Sequence, residues 1–180
     1  MSEFGTALDE TPENINFLSP LIYKFQIKKT PNLNFFVQNV NLPGIHLPPT
    51  EGQPNKFVNI PYWGDHLTYD EIMINFKVQE SMADWLEVHN WIRAMGFPRE
   101  HAEYAALSGA LTGTGDGLTS DISLIIMNSA RNPKFNIIFR DAFPVSLSST
   151  IFDQAVADIN YVTAAATFKY TLYDIEEINV

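Results

Sequence analysis

Histidine is the side chain best suited to holding a metal ion or moving a proton near neutral pH. The chain has four, and no two stand two or four residues apart: His46, His66, His89 and His101. It has no H-E-x-x-H motif and no cysteine, so the usual patterns of a metal centre, a cysteine nucleophile and a disulfide are missing. The histidines therefore indicate no metal site. His89 lies among the apolar positions of a predicted helix and is interpreted as a packing residue.

The glycine-rich segment Gly113-Thr-Gly-Asp-Gly117 has a spacing that approaches a phosphate-binding loop. A G-x-G-x-x-G motif would need a further glycine where Leu118 stands. No Lys-Ser or Lys-Thr pair follows, and no strand–helix unit surrounds the segment. We interpret the whole run from Ser108 to Ser120 as a solvent-exposed loop.

No catalytic arrangement stands out among the serines and carboxylates. The sequence has no G-x-S-x-G motif, and Ser146, Ser148 and Ser149 have no histidine in a recognisable arrangement. The pairs Asp70-Glu71 and Glu176-Glu177 are adjacent, so in strands they point to opposite faces and cannot share a proton or a metal ion. We predict a protein that is not an enzyme and uses no cofactor; catalytic residues drawn from distant segments are the least favoured alternative.

The negative net charge limits the classes of molecule that the protein can bind. Eleven Lys and Arg against 21 Asp and Glu give a formal net charge of −10. Because proteins grip nucleic acid by neutralising phosphates with Lys and Arg, we expect no specific binding of DNA. Apolar stretches such as Ile122–Met127 are far shorter than the roughly 18 residues of a membrane span, and residues 1–16 do not read as a signal peptide. We expect no membrane partner and a protein kept in the cytoplasm, or in a particle assembled there.

The chain is predicted to be one domain behind an arm. Residues 1–16 contain four acids and no base, so we expect a flexible acidic arm that cannot offset the entropy of ordering by itself. Residues 17–180 are long enough to bury a core without a metal or a disulfide. Alternating polar and apolar residues predict strands at Leu21–Lys28, Asn34–Val40, Asp70–Val78, Asp121–Met127, Lys134–Arg140 and Ile159–Tyr173.

One helix is predicted over about 81–96. Ser81 and Asp84 have the spacing of a capping box, and Gly96 followed by Pro98 is a stop signal. Apolar steps of three and four residues predict a buried face made of Met82, Trp85, Leu86, His89, Ile92 and Met95. Six or seven strands and one helix predict an α+β fold that is mainly antiparallel β.

Two neighbouring segments are expected to lie at the surface. Pro43 and Gly44 end the second strand, and a polar, proline-rich loop follows, made of His46, Leu47, Pro48, Pro49, Thr50, Glu51, Gly52, Gln53, Pro54, Asn55 and Lys56. After the loop the sequence predicts a short edge strand, made of Phe57, Val58, Asn59, Ile60 and Pro61. The exposed backbone groups of such an edge can pair with a second chain.

The order of features from Asn34 to Pro98 is specific. It consists of the strand Phe35–Val40, the bend Asn41-Leu-Pro-Gly-Ile45, the strand entry Leu67-Thr-Tyr-Asp70 and the helix motif Trp85-Leu-Glu-Val-His-Asn-Trp-Ile92. Together with Ile122–Asn128, Lys134–Ser148 and Ala164–Asp174, this order resembles the tail tube superfamily of contractile-tailed phages. Within it, the chain looks most like the tail completion and sheath stabiliser branch of the T-even-like myoviruses.

The resemblance implies a β-sandwich or barrel with one flanking helix. It also implies a virion structural protein, six copies of which form a ring that caps the tail tube at the neck and bridges it to the terminator and sheath. The implied partners are other copies of the chain, the tube, terminator and sheath proteins, and duplex DNA that passes without specific binding. The implied location is the phage tail, assembled in the host cytoplasm. The loop His46–Lys56 and the edge strand Phe57–Pro61 become candidate contacts between subunits or rings.

Other assignments stay open. A sibling in the same superfamily could be the repeating tube subunit or a baseplate initiator of the tube. An assignment of another class is a soluble β-rich module that binds a ligand or a peptide. The mass in solution separates the two classes, because the module would be a 20.3 kDa monomer whereas the tail protein would form rings or stacks.

Overall fold

The computed structural model describes residues 16–52, 59–96, 117–152 and 161–178. Most of the predicted arm, part of the predicted loop, Phe57, Val58 and most of the glycine-rich run lie outside these ranges. The described residues form β1 (Tyr23–Ile27), α1 (Pro31–Phe36), β2 (Val37–Val40), β3 (Ile45–His46), β4 (Thr50–Gly52), β5 (Ile60–Tyr62), β6 (Thr68–Tyr69), β7 (Ile72–Lys77), α2 (Ala83–Gly96), β8 (Ser120–Met127), β9 (Pro133–Leu147), β10 (Thr163–Lys169) and β11 (Leu172–Glu177). All strand pairs are antiparallel.

Seven strands form one sheet in the order β1-β8-β9-β10-β7-β2, with β11 also paired to β9. Strand β9 is 15 residues long and divides the sheet. Its first part pairs with β8 and β11, and its last part pairs with β10. We call β1, β8, β11 and the first part of β9 the first half-sheet, and β2, β7, β10 and the rest of β9 the second half-sheet.

A bulge in β9 separates the two half-sheets. Phe139 pairs with Ile122 and Ala142 pairs with Ser120, so β9 has one residue more than β8 over this interval. Asp141 lies in this interval with a φ of 53°, the left-handed region that a bulge can require. Since a bulge bends the strand that carries it, β9 can turn from one half-sheet into the other without a break in the chain.

The two half-sheets bury one shared core. Alternate residues of β7 and β10 contribute from the second half-sheet, and alternate residues of β1, β8 and β9 contribute from the first, as the period of two requires. The strand residues of this core are Phe25, Ile27, Ile72, Ile74, Phe76, Ile122, Leu124, Ile137, Phe139, Ala142, Ala164, Ala166 and Phe168. The predicted α+β class, dominated by antiparallel β-sheet, is confirmed.

Helix α2 exists where the sequence predicts it, but its buried face is rotated. Val88 and Trp91 are fully packed, whereas Leu86, predicted to be inside, is 43% exposed. Trp85, Ile92 and Met95 pack against the border of the core. The rotation lets the Trp91 indole N–H donate to the Leu118 carbonyl oxygen at 2.8 Å. A buried indole N–H needs such an acceptor, and the spacing of apolar residues cannot predict where it lies.

Helix α1 replaces a predicted turn and the beginning of a predicted strand. Pro31 is at the start of the helix, where its missing N–H costs nothing. The carboxylate of Glu87 in α2 accepts hydrogen bonds from the Asn32 side chain at 2.6 Å and from the Leu33 backbone N–H at 3.4 Å. Leu33 is fully buried, so tertiary contacts override the β propensity of the Phe35-Phe36 pair.

The end of the chain contains two strands where one was predicted. Strand β10 ends at Lys169, and after Tyr170 and Thr171 the chain enters β11. The Thr171 N–H donates to the Arg140 carbonyl oxygen at 3.0 Å, which carries the chain from the second half-sheet to the first. The segment after Arg140, which the sequence leaves irregular, continues β9 to Leu147, with a shift in pairing where Pro144 lacks a ladder donor.

We predict that Trp91→Ala lowers the free energy of unfolding by about 3 to 5 kcal/mol, because it leaves a cavity and removes the hydrogen bond to Leu118. Leu86→Ala, on the exposed side of the same helix, is the matched control and should change stability by about 0.5 kcal/mol or less. Urea unfolding measures both. Equal losses for the two variants would contradict the observed orientation of α2.

Candidate assembly surface

The four histidines lie in separate places or outside the described residues. The His46 ring stands 3.1 Å from the Asp70 carboxylate at the surface, His66 is exposed, and His89 stacks on Trp85 with ring centroids 5.0 Å apart. Within the described ranges no three His, Asp or Glu side chains are grouped as metal ligands. None of the described helices has the length and apolar character needed to cross a membrane.

The most distinctive surface is a long hairpin that projects from the second half-sheet. Strands β2 and β7 pair at its base, β3 pairs with β6 further out, and β4 pairs with β5 beyond that. Between these pairs, the Asp70 N–H donates to the Gly44 carbonyl oxygen at 3.1 Å, so the ladder continues from the sheet. We call residues Ile45–Gly52 and 59–69 the arm hairpin.

The arm hairpin revises two predicted segments. Residues 46–51 of the predicted loop are exposed, as expected, but His46 belongs to β3, and Thr50, Glu51 and Gly52 form β4. The predicted edge strand begins later: Ile60 and Pro61 form β5 together with Tyr62, and they pair with β4. The sequence interpretation missed this pairing because the proline-rich composition indicated a loop, while the partner strand lies about ten residues away. Gln53, Pro54, Asn55 and Lys56 lie outside the described residues.

Large apolar side chains are exposed along the arm hairpin. A two-stranded ribbon has no second layer on which to bury them. The exposed fractions run from 42% for Ile60 to 81% for Trp63, and the full set is Ile45, Leu47, Ile60, Tyr62, Trp63 and Leu67. Such a concentration on a projecting element is typical of a protein–protein contact. Of these residues, Ile45, Tyr62, Trp63 and Leu67 were not among the candidates from the sequence, although the run Pro61-Tyr-Trp-Gly64 is unusually aromatic.

Two glycines allow the arm hairpin to close tightly. A Cβ on Gly64 would collide with the Pro48 carbonyl oxygen, and a Cβ on Gly52 would lie 2.6 Å from the Tyr62 ring. Position 64 therefore needs glycine because a neighbouring backbone comes close, and a side chain at position 52 would require the Tyr62 ring to move. Close contacts between its two strands therefore define the shape of the arm hairpin, although it lies outside the core.

An aromatic cluster fixes the base of the arm hairpin. Tyr69 of β6 packs on Tyr170 and Tyr173, with ring centroids 5.8 and 5.6 Å apart, and both tyrosines pack on Phe139. We call Tyr69, Phe139, Tyr170 and Tyr173 the base cluster. No described residue hydrogen-bonds the buried Tyr170 hydroxyl. Burial first, and then the neighbouring Tyr173, Asp70 and Tyr69, raise the pKa of Tyr170 well above its usual value.

The outer face of the second half-sheet carries few charges. Asn75, Thr163, Ala165 and Thr167 alternate with buried core residues and occupy its centre. Lys169 forms an ion pair with Glu71 at 3.3 Å, and the Lys77 ammonium lies 4.5 Å from the centroid of the Tyr161 ring. This face is therefore mostly uncharged, with the exposed apolar side chains of Met73 and Phe143 beside the polar ones, and both of its strand lysines have an electrostatic partner.

No protein-family model matches the sequence. No curated protein matches it significantly either. Solved structures resemble its fold over nearly the full length of both chains. A chain of the extended sheath–tube complex of the PVC extracellular contractile injection system has a TM-score of 0.62 and 14% identity, with coverage of 97% of this chain and 100% of that one.

A chain of the tube-terminating cap of the anti-feeding prophage (AFP) has a TM-score of 0.60 and 14% identity, with coverage of 96% and 100%. A chain of the AFP baseplate has a TM-score of 0.58 and 11% identity, with coverage of 94% and 99%. At these identities the likeness shows that the fold is one found in tube, cap and baseplate assemblies of contractile particles. The resemblance to contractile tail proteins is thus supported at the level of fold.

We predict that Tyr170→Phe leaves stability at pH 7 unchanged or raises it by about 1 kcal/mol, because it keeps the ring and removes a buried hydroxyl without a described partner. In the wild type, the raised pKa keeps folded Tyr170 protonated while the unfolded side chain ionises near pH 10. Stability is therefore full below about pH 10 and falls as pH rises toward the folded pKa.

The measurement is the melting temperature between pH 8 and 11, and the Tyr170→Phe variant should lose less of it than the wild type. Tyr62→Phe, an exposed tyrosine of the arm hairpin, is the control and should follow the wild-type curve. Parallel curves for the wild type and Tyr170→Phe would contradict the assigned burial of this hydroxyl.

Proposed function

We propose that the chain is a non-enzymatic, ring-forming structural subunit of a contractile tail, in which six copies complete the tail tube at the neck end and bridge it to the terminator and sheath. Residues 17–180 would form the ring wall as one domain, and residues 1–16 would act as an accessory arm. The observation that carries the proposal is the arm hairpin, an ordered and apolar extension attached to a fold found in tube, cap and baseplate assemblies.

The arm hairpin supports assembly for a physical reason. Its apolar side chains remain in water in the isolated chain, although about 25 cal/mol is gained for each Å² of apolar surface buried. A neighbouring copy can supply the second layer that the ribbon lacks. The loop residues from His46 to Gly52 and the strand residues Ile60 and Pro61 therefore stay candidate contacts, joined now by Ile45, Tyr62, Trp63 and Leu67.

The neck position is the finer part of the proposal. It is supported by the resemblance of the segment from Asn34 to Pro98 to the tail completion branch. A repeating tube subunit is the second candidate, favoured by the equally extensive likeness to a sheath–tube complex, and a baseplate initiator is the third. A completing ring should stop at one or two layers in solution, whereas a tube subunit should stack into long tubes.

The proposed channel wall is the outer face of the second half-sheet. Its central residues Asn75, Thr163 and Thr167 are polar and neutral, and its lysines at 77 and 169 are engaged by Tyr161 and Glu71. Such a face would not hold phosphates, so duplex DNA could slide past it. The particle would be a virion tail assembled in the host cytoplasm.

We predict that Trp63→Ser abolishes ring or tube assembly while the subunit stays folded, because Trp63 is 81% exposed in the single chain and, in the proposed ring, a neighbour would bury it. The loss of a central aromatic anchor typically costs 2 kcal/mol or more at an interface. Leu86→Ser on the exposed face of α2 is the matched control and should assemble normally. Light scattering and negative-stain images measure assembly, and circular dichroism checks the fold.

Normal rings from Trp63→Ser would remove the arm hairpin from the interface. If the wild type, both variants and all concentrations gave a monomer of 20.3 kDa, the chain would be better explained as the soluble binding module.

We predict that assembled wild-type protein binds duplex DNA more weakly than micromolar in a low-salt filter-binding titration. The double variant Thr163→Lys, Thr167→Lys adds two cations to the proposed wall of every subunit and should raise the affinity at least tenfold, with a steeper dependence on salt. Submicromolar binding by the wild type would contradict the passive channel and favour a DNA-binding role.

A further inference from the structure

Strand β1 lies at one end of the sheet and has a free edge. It pairs with β8 on one side. On the other side the Asn34 side chain accepts from the Ile27 N–H at 2.7 Å and donates to the Ile27 carbonyl oxygen at 2.9 Å, in the manner of a partner strand. Since backbone groups alternate along a strand, those of Tyr23 and Phe25 point toward the same edge, and no described residue bonds them there.

A groove of about 630 Å³ follows this edge between β1 and α1. Leu21 and Phe35 form apolar walls and are 85% and 84% exposed, and Lys24 adds a positive charge. Unpaired backbone groups next to apolar walls are what an added β-strand requires: hydrogen bonds give affinity, and the side-chain pockets give specificity.

The chain itself contains a segment that matches this groove. In an extended conformation, Phe4, Thr6 and Leu8 would share one face, and the small residues Gly5 and Ala7 would share the other. The segment carries four acids and no base, which complements Lys24: Glu3, Asp9, Glu10 and Glu13. Fifteen extended residues span about 50 Å, more than the roughly 40 Å across a compact domain of this length.

The described residues that follow this segment are not part of the groove lining. Phe17 is 100% exposed and Leu18 is 62% exposed, at the end of the sheet where the turn Asn128–Pro133 joins β8 and β9. Exposed apolar residues at this point are of the kind that a neighbouring copy covers.

We propose that residues 1–15 of one copy dock as an added strand on the free edge of β1 in a neighbouring copy, in the groove walled by Leu21 and Phe35. The inference rests on the ring assembly proposed above. Each subunit then gives one strand and receives one, so the contact repeats around a closed ring and leaves no β1 edge exposed.

The absence of native cysteine allows a direct test by disulfide cross-linking of the full-length chain. Leu8→Cys carries one thiol on the donated segment, and Phe35→Cys, in a chain with an added tag, carries the other at the groove. After the two variants are mixed and oxidised, a non-reducing gel should show the mixed dimer at least tenfold above the control pair, Leu8→Cys with Leu86→Cys. The chain with both Leu8→Cys and Phe35→Cys should give a ladder that stops at the ring.

Charge provides a second readout in the same background. Lys24→Glu should lower the yield of the mixed dimer several-fold, whereas Lys24→Arg, which keeps the positive charge, should leave it unchanged. Yields equal to the control pair, or a double variant that closes only within its own chain, would overturn the inference. Light scattering on the same samples separates the two proposals: oligomers without the cross-link contradict only the docking, whereas monomers contradict both.

Discussion

Strand β9 determines how the rest of the molecule is arranged. Among the described strands it is the one that hydrogen-bonds in both half-sheets, and the bulge at Asp141 lets it do so without a break. One side of its first part holds β8, and through it β1, while its last part holds β10, and through it β7 and β2. The free edge of β1 and the base of the arm hairpin therefore lie at opposite ends of one hydrogen-bonded system. An extra residue in one strand thus positions both surfaces to which we assign contacts.

The two surfaces lack different kinds of contact in the single chain. The arm hairpin has its backbone hydrogen bonds within the ribbon but leaves Trp63 and its apolar neighbours without a layer to pack on. The β1 edge has Phe25 and Ile27 in the core but leaves the backbone groups of Tyr23 and Phe25 without a described partner. A single chain can supply neither the apolar packing nor the backbone hydrogen bonds. Copies arranged in a closed ring could supply both to each other. This is why we attach function to assembly and not to a pocket.

The sequence predicts local structure well where periodicity and burial agree. Alternation along Ile72, Ile74 and Phe76 gives the correct strand and the correct inner face, because each of these side chains meets the core directly. Spacing also gives the position of α2. It does not give its rotation, since the indole N–H of Trp91 is fixed by a carbonyl group 27 residues away.

Features that depend on distant partners were not predictable from local patterns. Phe35 and Phe36 favour a strand by composition, yet Glu87 and the buried Leu33 hold this region as helix. The composition of the segment His46–Lys56 predicts a loop, and the pairing of Thr50 with Tyr62, which makes part of it a strand, is not visible in the local sequence. The predicted exposure is correct for residues 46–51, because proline and polar residues seldom pack in a core, whether or not their strands pair. The functional assignment rests on the order of elements, and the fold part of that resemblance is supported.

Ring formation is the claim on which the other proposals depend, and native mass spectrometry of the purified full-length chain tests it most directly. We expect a closed oligomer at six times the 20.3 kDa chain mass, or a small multiple of that ring, persisting on dilution to low micromolar concentration. A single species at 20.3 kDa over the whole concentration range would contradict the account, because the arm hairpin and the β1 edge would then be shown to need no neighbour.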